Sequence, residues 1–132
     1  MRSSALALVA VAAAIAAGSA GAGSRSVGFF GCRTDVVAHP VPVVRPRSIV
    51  LACADANAYL TGLRWTTWTA ATATGSGVLH ENDCKPYCAA GHFHARAATV
   101  ALSRPRRCKG ALVFTRVDWI ARGWRTILDY RC

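Results

Sequence analysis

The chain has 132 residues, six of them cysteine, and a formal net charge of +10 at pH 7. The length that remains once a leader is removed fits a single domain with a modest core and excludes a multidomain protein. The excess of lysine and arginine predicts an anionic partner, because wall polymers, lipid head groups and nucleic acid are all attracted by a basic surface, although the same charge also favours solubility alone.

The first 22 residues have the three parts of a secretory signal peptide. Arg2 gives a positive start, residues 5–17 form an apolar run, and Ala20-Gly21-Ala22 supplies the small residues of a cleavage site. The run is shorter than the roughly 20 apolar residues that a membrane-spanning helix needs. We therefore expect cleavage near Ala22, no transmembrane segment in the mature chain, and a secreted protein that is extracellular or associated with the cell wall.

Residues 23–47 are rich in glycine and proline and predict an irregular N-terminal arm. Pro40, Pro42 and Pro46 lie close enough together to prevent both a helix and a central strand. We expect this arm to lie across an all-β domain formed by residues 48–132, and to be tethered to it by Cys32.

Short segments in which apolar and polar residues alternate follow the arm. Gly75 and Gly77 indicate a bulge or close packing beneath the tryptophans, and the change of phase between Trp65 and Trp68 indicates a bend near Thr67. The alternation predicts strands at residues 48–54, 63–66, 69–80, 98–103, 111–119 and 124–132.

About six short strands at close spacing, without a sustained helical stripe, predict an all-β fold. The architecture is a small, disulfide-linked antiparallel sandwich or a partly open barrel, and the sequence leaves these two open. A helical turn fits only within residues 89–98. We expect at least two of the four tryptophans in the core, and we take Trp65 as the one to test, because aromatic side chains supply much of the buried area of a small domain.

An even number of cysteines in a small exported domain predicts a disulfide framework. We expect Cys84 and Cys88 to bond outward, to Cys53 and to Cys108 or Cys132. A ring closed across Lys85-Pro86-Tyr87 would gain little loop-closure entropy, and the proline restricts its backbone. The six predicted disulfide cysteines are Cys32, Cys53, Cys84, Cys88, Cys108 and Cys132.

Residues 82–94 contain the densest chemistry of the chain. Two cysteines and two histidines in this segment are of the types that bind zinc, at the close spacing of structural sites. Exported thiols are normally oxidised, however, so we predict neither a metal site nor a cofactor. The four residues concerned are Cys84, Cys88, His92 and His94.

A hydrolase is the alternative interpretation of the same loop. His80 with Glu81 or Asp83 fits a general base with an orienting carboxylate, and a free thiol beside a histidine fits a nucleophile with its base. The even cysteine count and the absence of a phosphate loop or a G-x-S-x-G elbow favour a non-catalytic role. Convergence of His80, Asp83, His92 and His94 in one cleft would favour the hydrolase, whereas scattered positions would favour a structural role or binding by the same residues.

Several motifs within residues 49–102 resemble a group of small secreted proteins of actinomycete bacteria. The resemblance covers roughly half of the mature chain and implies export and a small extracytoplasmic domain, and it assigns no catalytic residue. The motifs are Leu51-Ala52-Cys53-Ala54-Asp55-Ala56-Asn57, Leu63-Arg64-Trp65 with Trp68, and Asn82-Asp83-Cys84-x-Pro86-x-Cys88-Ala89-Ala90-Gly91-x-Phe93-His94.

Two further features predict binding. Trp68 beside Arg64 is a candidate platform for a sugar or an aromatic partner, and Arg104-Pro105-Arg106-Arg107 predicts an exposed basic turn between two strands.

We therefore expect a non-catalytic binding or structural module at the cell envelope or in the extracellular space. Its expected partner is an anionic envelope polymer or another protein, with nucleic acid bound only through non-specific charge. The alternative is a small secreted hydrolase that uses residues 80–94.

Overall fold

The computed structural model of the protein describes residues 26–33 and 40–132. The predicted signal peptide and residues 23–25 and 34–39 of the predicted arm lie outside the described residues. In the described part, the regular elements are seven strands and one short 3₁₀ helix. They are β1 (Gly28–Phe29), β2 (Ile49–Val50), β3 (Ala58–Trp68), β4 (Ala73–Asn82), the 3₁₀ helix (Cys88–Ala90), β5 (Phe93–Cys108), β6 (Ala111–Ala121) and β7 (Trp124–Asp129).

The strands form one curled sheet with the shape of a half-barrel. Its order is β1-β6-β5-β4-β3-β2, and β7 pairs with β6 beside β1. All of the pairs are antiparallel except that of β1 with β6, which is parallel. The prediction of an all-β fold is confirmed, and of the two architectures that the sequence left open the structure has the partly open barrel.

The hydrophobic core lies on one face of this sheet. Leu60, Leu79, Leu102 and Val117 are at most 1% exposed and come from the four consecutive strands β3, β4, β5 and β6. Neighbouring strands place paired residues on the same face, so these side chains form one continuous layer. Trp65, a candidate for the core from the sequence, packs against this layer but is only half-buried.

An irregularity between β3 and β4 sets the positions of two tryptophans. The pairing register shifts between Trp65 and Thr67, and an extra residue in one strand changes the face to which the following side chains point. Trp65 and Trp68 therefore both pack against the core despite their odd spacing. At Gly75 the chains approach so closely that a Cβ atom would collide with the carbonyl oxygen of Arg64. The register shift lies where the sequence predicted a bend or a strand end, near Thr67.

The described part of the arm crosses the core and is held there by the same tryptophans. Nε1–H of Trp68 donates a hydrogen bond to the carbonyl oxygen of Val27 at 2.9 Å, and Nε1–H of Trp65 donates to that of Pro46 at 2.8 Å. Val27 is 1% exposed and belongs to the core. The arm also contributes the short strand β1, so it is more regular than the sequence predicted.

Three predicted strands are longer than the observed ones, and one of them, predicted at residues 124–132, ends at Asp129. Of residues 48–54, only the two residues of β2 pair with a neighbouring strand. The strand predicted at residues 69–80 begins at Ala73, because Thr69 first closes a turn. The hydroxyl group of Thr69 accepts the backbone N–H of Thr72 at 3.0 Å, which is a local bond that competes with strand pairing.

All six cysteines form disulfides, as predicted, but the predicted pairing is wrong. Cys84 and Cys88 are bonded to each other and not to distant cysteines. The other two bonds join residues 21 and 24 positions apart in the chain. The three pairs are Cys32–Cys53, Cys84–Cys88 and Cys108–Cys132.

Candidate functional site

The side chain of Asn82 holds Cys84 and Cys88 next to each other. Its Oδ1 accepts the backbone N–H of Cys84 at 3.0 Å, and its Nδ2 donates to the carbonyl oxygen of Cys88 at 2.8 Å. The two cysteine Cα atoms are consequently 3.7 Å apart. The prediction of outward pairing considered only loop entropy and proline stiffness, and it failed because this amide group arranges the short loop for closure.

Asp83 closes the base of the same loop. Its Oδ1 accepts the backbone N–H groups of His92 at 2.9 Å and Lys85 at 3.1 Å, and its Oδ2 lies 3.1 Å from Nε2 of His94. These bonds favour the charged carboxylate, and together they hold the pKa of Asp83 far below its usual range, the His92 N–H having the largest effect. Asp83 is therefore ionised at neutral pH, and its two oxygen atoms are engaged in the bonds that hold the loop.

His80 lies on the other face of the sheet. In the register of β4 and β5, Glu81 is opposite His94, and consecutive residues of a strand point to opposite faces. The His80 ring stacks on Tyr59 with ring centroids 4.7 Å apart, and its Nε2 lies 2.9 Å from Oγ1 of Thr61. This histidine is thus part of a packed surface cluster that is separate from the Asp83–His94 pair.

The structure therefore brings together only two of the four predicted loop residues. Asp83 and His94 meet, His92 contributes its backbone N–H, and His80 lies apart. Within residues 26–33 and 40–132, no group of three or more histidine, cysteine, aspartate or glutamate residues is placed to hold a metal ion. From the sequence, such a scattered arrangement is expected of a binding protein or a structural protein.

Trp68 is engaged in packing. Its ring makes edge contacts with Trp65 at a centroid distance of 4.8 Å and with Phe114 at 5.6 Å. Its N–H group is bonded to the arm at Val27. Through these contacts Trp68 joins the arm to the core.

The predicted basic turn is wrong, since Arg104-Pro105-Arg106-Arg107 lies within β5. The turn that joins β5 to β6 lies further along the chain, at Lys109-Gly110, where the φ angles are positive, at 46° and 84° respectively. Proline is tolerated in the strand because β4 pairs with β5 only as far as Leu102, so one edge of β5 is open at Pro105. The three arginines are exposed, and the consecutive Arg106 and Arg107 point to opposite faces of the strand. We call this strand end, with Arg104, Arg106 and Arg107 on its two faces, the basic surface.

One carboxylate lies among these arginines. Asp129 accepts two hydrogen bonds of 2.7 Å from Arg116, and Arg104 lies 3.9 Å away. The Arg116 hydrogen bonds are the main reason that the pKa of Asp129 is lowered, and the charges of Arg104 and Arg106 act in the same direction. Because Asp129 is already paired in a two-point contact with Arg116, the basic surface keeps an excess of positive charge.

Trp124 is the feature that sequence reasoning missed most clearly. It is 81% exposed, although its place in the alternation of residues 124–132 put it on one face with Leu128 and Tyr130. Both of these residues pack against the core. The exposure of Trp124 could have been predicted from the turn at Arg122-Gly123, because a residue directly after a tight turn lies at the end of its strand.

The strands and the three disulfides define a small, disulfide-linked, all-β protein, and one end of its strand β5 is basic. Comparison of the chain with protein-family models, with curated proteins and with solved structures finds no match in any of the three. The resemblance to secreted actinomycete proteins stays a prediction. In the described ranges, no helix is both long enough and apolar enough to cross a membrane.

Proposed function

We propose that the protein is a non-catalytic binding module that acts at the cell envelope or in the extracellular space. It attaches to an anionic polymer through the basic surface. The observation that carries this proposal is the exposure of three arginines on one strand end, beside a carboxylate that is already bonded to Arg116. Arginine suits such a partner because its planar group donates two parallel hydrogen bonds to a phosphate or a carboxylate.

The basic surface is also held rigidly. Cys108, which ends β5, is 2% exposed and bonded to Cys132. The hydroxyl group of Thr115 on β6 donates to the carbonyl oxygen of Arg104 at 2.9 Å. A strand that is fixed in this way loses little conformational entropy when it binds a partner, which favours affinity.

The proposed compartment fits the disulfides. Three bonds formed by all six cysteines are compatible with an oxidising environment outside the cytoplasm, and the predicted signal peptide supports export. The hydrolase alternative has less support, because His80 and His94 point to opposite faces of the sheet and Asp83 is committed to loop hydrogen bonds.

Charge reversal tests the proposal. The double variant Arg106→Glu, Arg107→Glu is expected to weaken binding to inorganic polyphosphate at low salt by about tenfold or more, because each charge contact at about 4 Å is worth about 1 kcal/mol even in water. The measurement is titration calorimetry at several salt concentrations, and the affinity of the unaltered protein is expected to fall as salt rises.

The matched control is the double variant Arg64→Glu, Lys85→Glu, which makes the same change in net charge at exposed positions outside the basic surface. We expect this control to lose much less affinity. Equal losses in the two variants would show that only net charge matters, and an unchanged affinity of the Arg106→Glu, Arg107→Glu variant would refute the proposed surface.

A further inference from the structure

β5 is longer than either of its neighbours, and part of one of its edges is therefore open. β4 pairs with residues 93–102 of β5, whereas β6 pairs with residues 99–108. On the side where β6 would continue, residues 93–98 have no strand partner among the described residues. We call this segment the open edge. Alternate residues of such an edge present unpaired backbone N–H and C=O groups.

The open edge has little of the usual protection against strand addition. Soluble proteins commonly protect edges with proline, with bulges or with charged residues, including residues that point inward. Here the segment contains Ala95, Ala97 and Ala98 and no proline. Its one arginine, Arg96, points inward on the core face opposite Leu79 and forms an ion pair with Glu81 at 3.4 Å, so it does not project from the edge. The small side chains leave the backbone accessible to another strand.

A depression of about 460 Å³ adjoins the open edge on the face of the sheet opposite the core. Val78, Ala97, Thr99 and Ile120 line part of it, and Val78 and Ile120 are 37% and 45% exposed. In an added strand, every second side chain points to this face. An aliphatic side chain placed beside Ala97 would therefore enter the depression and cover the exposed Val78 and Ile120.

The turn between β6 and β7 lies at one end of the open edge. Arg122 and Gly123 have φ angles of 51° and 77°, as two-residue hairpin turns require, and Trp124 follows directly. A strand added to residues 93–98 would continue the line of β6 and end at this turn, where Trp124 is 81% exposed. Phe93, which is 48% exposed, lies at the opposite end.

The charge of the protein favours an acidic strand. The formal net charge is +10 and Arg122 is exposed at the turn, whereas Arg125 and Arg96 are already paired with Asp118 at 3.1 Å and with Glu81 at 3.4 Å. A second copy of the chain is disfavoured as the partner, because both copies carry the same formal net charge of +10 and like-charged molecules repel each other.

We propose that the open edge binds an extended segment of another protein by strand addition, and that this segment alternates aliphatic with acidic residues. Backbone hydrogen bonds to residues 93–98 supply most of the affinity, whereas the depression and Trp124 select the side chains. The open edge and the basic surface share no residues, so this proposal does not depend on binding to an anionic polymer.

The probe is a short synthetic peptide in which leucine alternates with glutamate. We expect binding to protect backbone amides within residues 93–98 from hydrogen exchange, as measured by nuclear magnetic resonance. The same peptide with a central proline should not bind, since proline removes a backbone donor. Trp124→Ala is expected to lower the affinity about tenfold, as is common for an exposed tryptophan that becomes buried at an interface.

Ala97→Lys separates strand addition from simple charge attraction. The lysine adds positive charge but obstructs the edge and the depression, so we expect it to abolish peptide binding. The control Val41→Lys makes the same charge change on the arm, where Val41 is 68% exposed, and should leave binding unchanged. Circular dichroism and polyphosphate binding check that each variant is folded.

Several results would overturn the proposal. They are the absence of peptide binding, binding that leaves residues 93–98 unprotected, equal binding of the proline peptide, and full binding by Ala97→Lys. Concentration-dependent protection without peptide would identify a second copy of the chain as the occupant instead. Loss of polyphosphate binding concerns the basic surface alone, so failure of one proposal is distinguishable from failure of the other.

Discussion

Replacement of Asn82 by aspartate tests the amide group that holds the Cys84–Cys88 loop. Nδ2 of Asn82 donates to the carbonyl oxygen of Cys88 at 2.8 Å and to Oδ1 of Asn57 at 2.9 Å, while Oδ1 accepts the N–H of Cys84 at 3.0 Å. Aspartate has nearly the same shape and keeps the acceptor, but it has no N–H group. Both donated bonds are lost, and a carboxylate oxygen then faces two other oxygen atoms.

We expect Asn82→Asp to lower the free energy of unfolding by about 2–3 kcal/mol at neutral pH. Each donated bond contributes roughly 0.5–1.5 kcal/mol net, and an unmatched oxygen that faces other acceptors adds a further penalty. The deficit should shrink in acid, because a protonated carboxyl group again has an O–H to donate. Asn82→Ala loses all three bonds but cannot regain a donor, so its deficit relative to the natural protein should change much less with pH.

Urea unfolding with the disulfides intact, followed by tryptophan fluorescence at neutral and acidic pH, measures both variants. The rate at which dithiothreitol reduces the Cys84–Cys88 bond gives a second measurement, and we expect it to rise in both. Should Asn82→Asp be within about 0.5 kcal/mol of the natural protein, which is the range of ordinary surface substitutions, the amide would not hold the loop. The physical account of the Cys84–Cys88 pairing would then be wrong.

Other changes test the packing and the charged groups. Trp65→Ala should lower the free energy of unfolding in urea by about 3 kcal/mol, at the low end for aromatic truncations because the ring is half-buried; near-native stability would show that the ring is not needed. Arg96→Lys should keep stability within about 1 kcal/mol or raise it, since Nε of Arg96 is buried without a hydrogen-bond partner in the described part; a larger loss in the same assay is the contrary result. The depressed pKa of Asp83 means that its carboxylate stabilises the fold fully above the unfolded-state value of about 4 and loses this effect as pH falls further. The stability difference between the protein and Asp83→Asn should therefore shrink from about pH 5 to about pH 2, and a constant difference would contradict the assignment.

The middle of the sheet is predictable from the sequence because its alternation is a local signal. Residues 98–103 and 111–119 each place one apolar set on the core face, and both lie in observed strands. β5 nevertheless extends beyond the predicted segment at both ends. Its end at residues 93–97 and its end at residues 104–107 are mainly exposed, so neither shows the alternation that burial on one face imposes.

The loop chemistry was less predictable because the decisive contacts join backbone and side chain. An asparagine two residues before a cysteine is a local turn signal, since its side chain can accept the backbone N–H two positions later. Asn82 and Cys84 make this bond. The second bond, to Cys88, depends on the path of the whole loop and cannot be deduced from spacing. The faces of His80 and His94 likewise require the register of β4 with β5.

The two candidate surfaces lie at opposite ends of β5, and the same geometry explains both. Residues 93–98 pair with β4 alone, and residues 103–108 pair with β6 alone, within the part of the chain that the structure describes. Each end therefore has one open edge, but their chemistry differs. At the second end, Pro105 removes a backbone donor and the flanking arginines repel basic strands, which are the means by which proteins prevent strand addition. The alanines at the first end give no such protection. A strand partner therefore fits residues 93–98, whereas a flexible polyanion fits the arginines, because it needs charge and no backbone pairing.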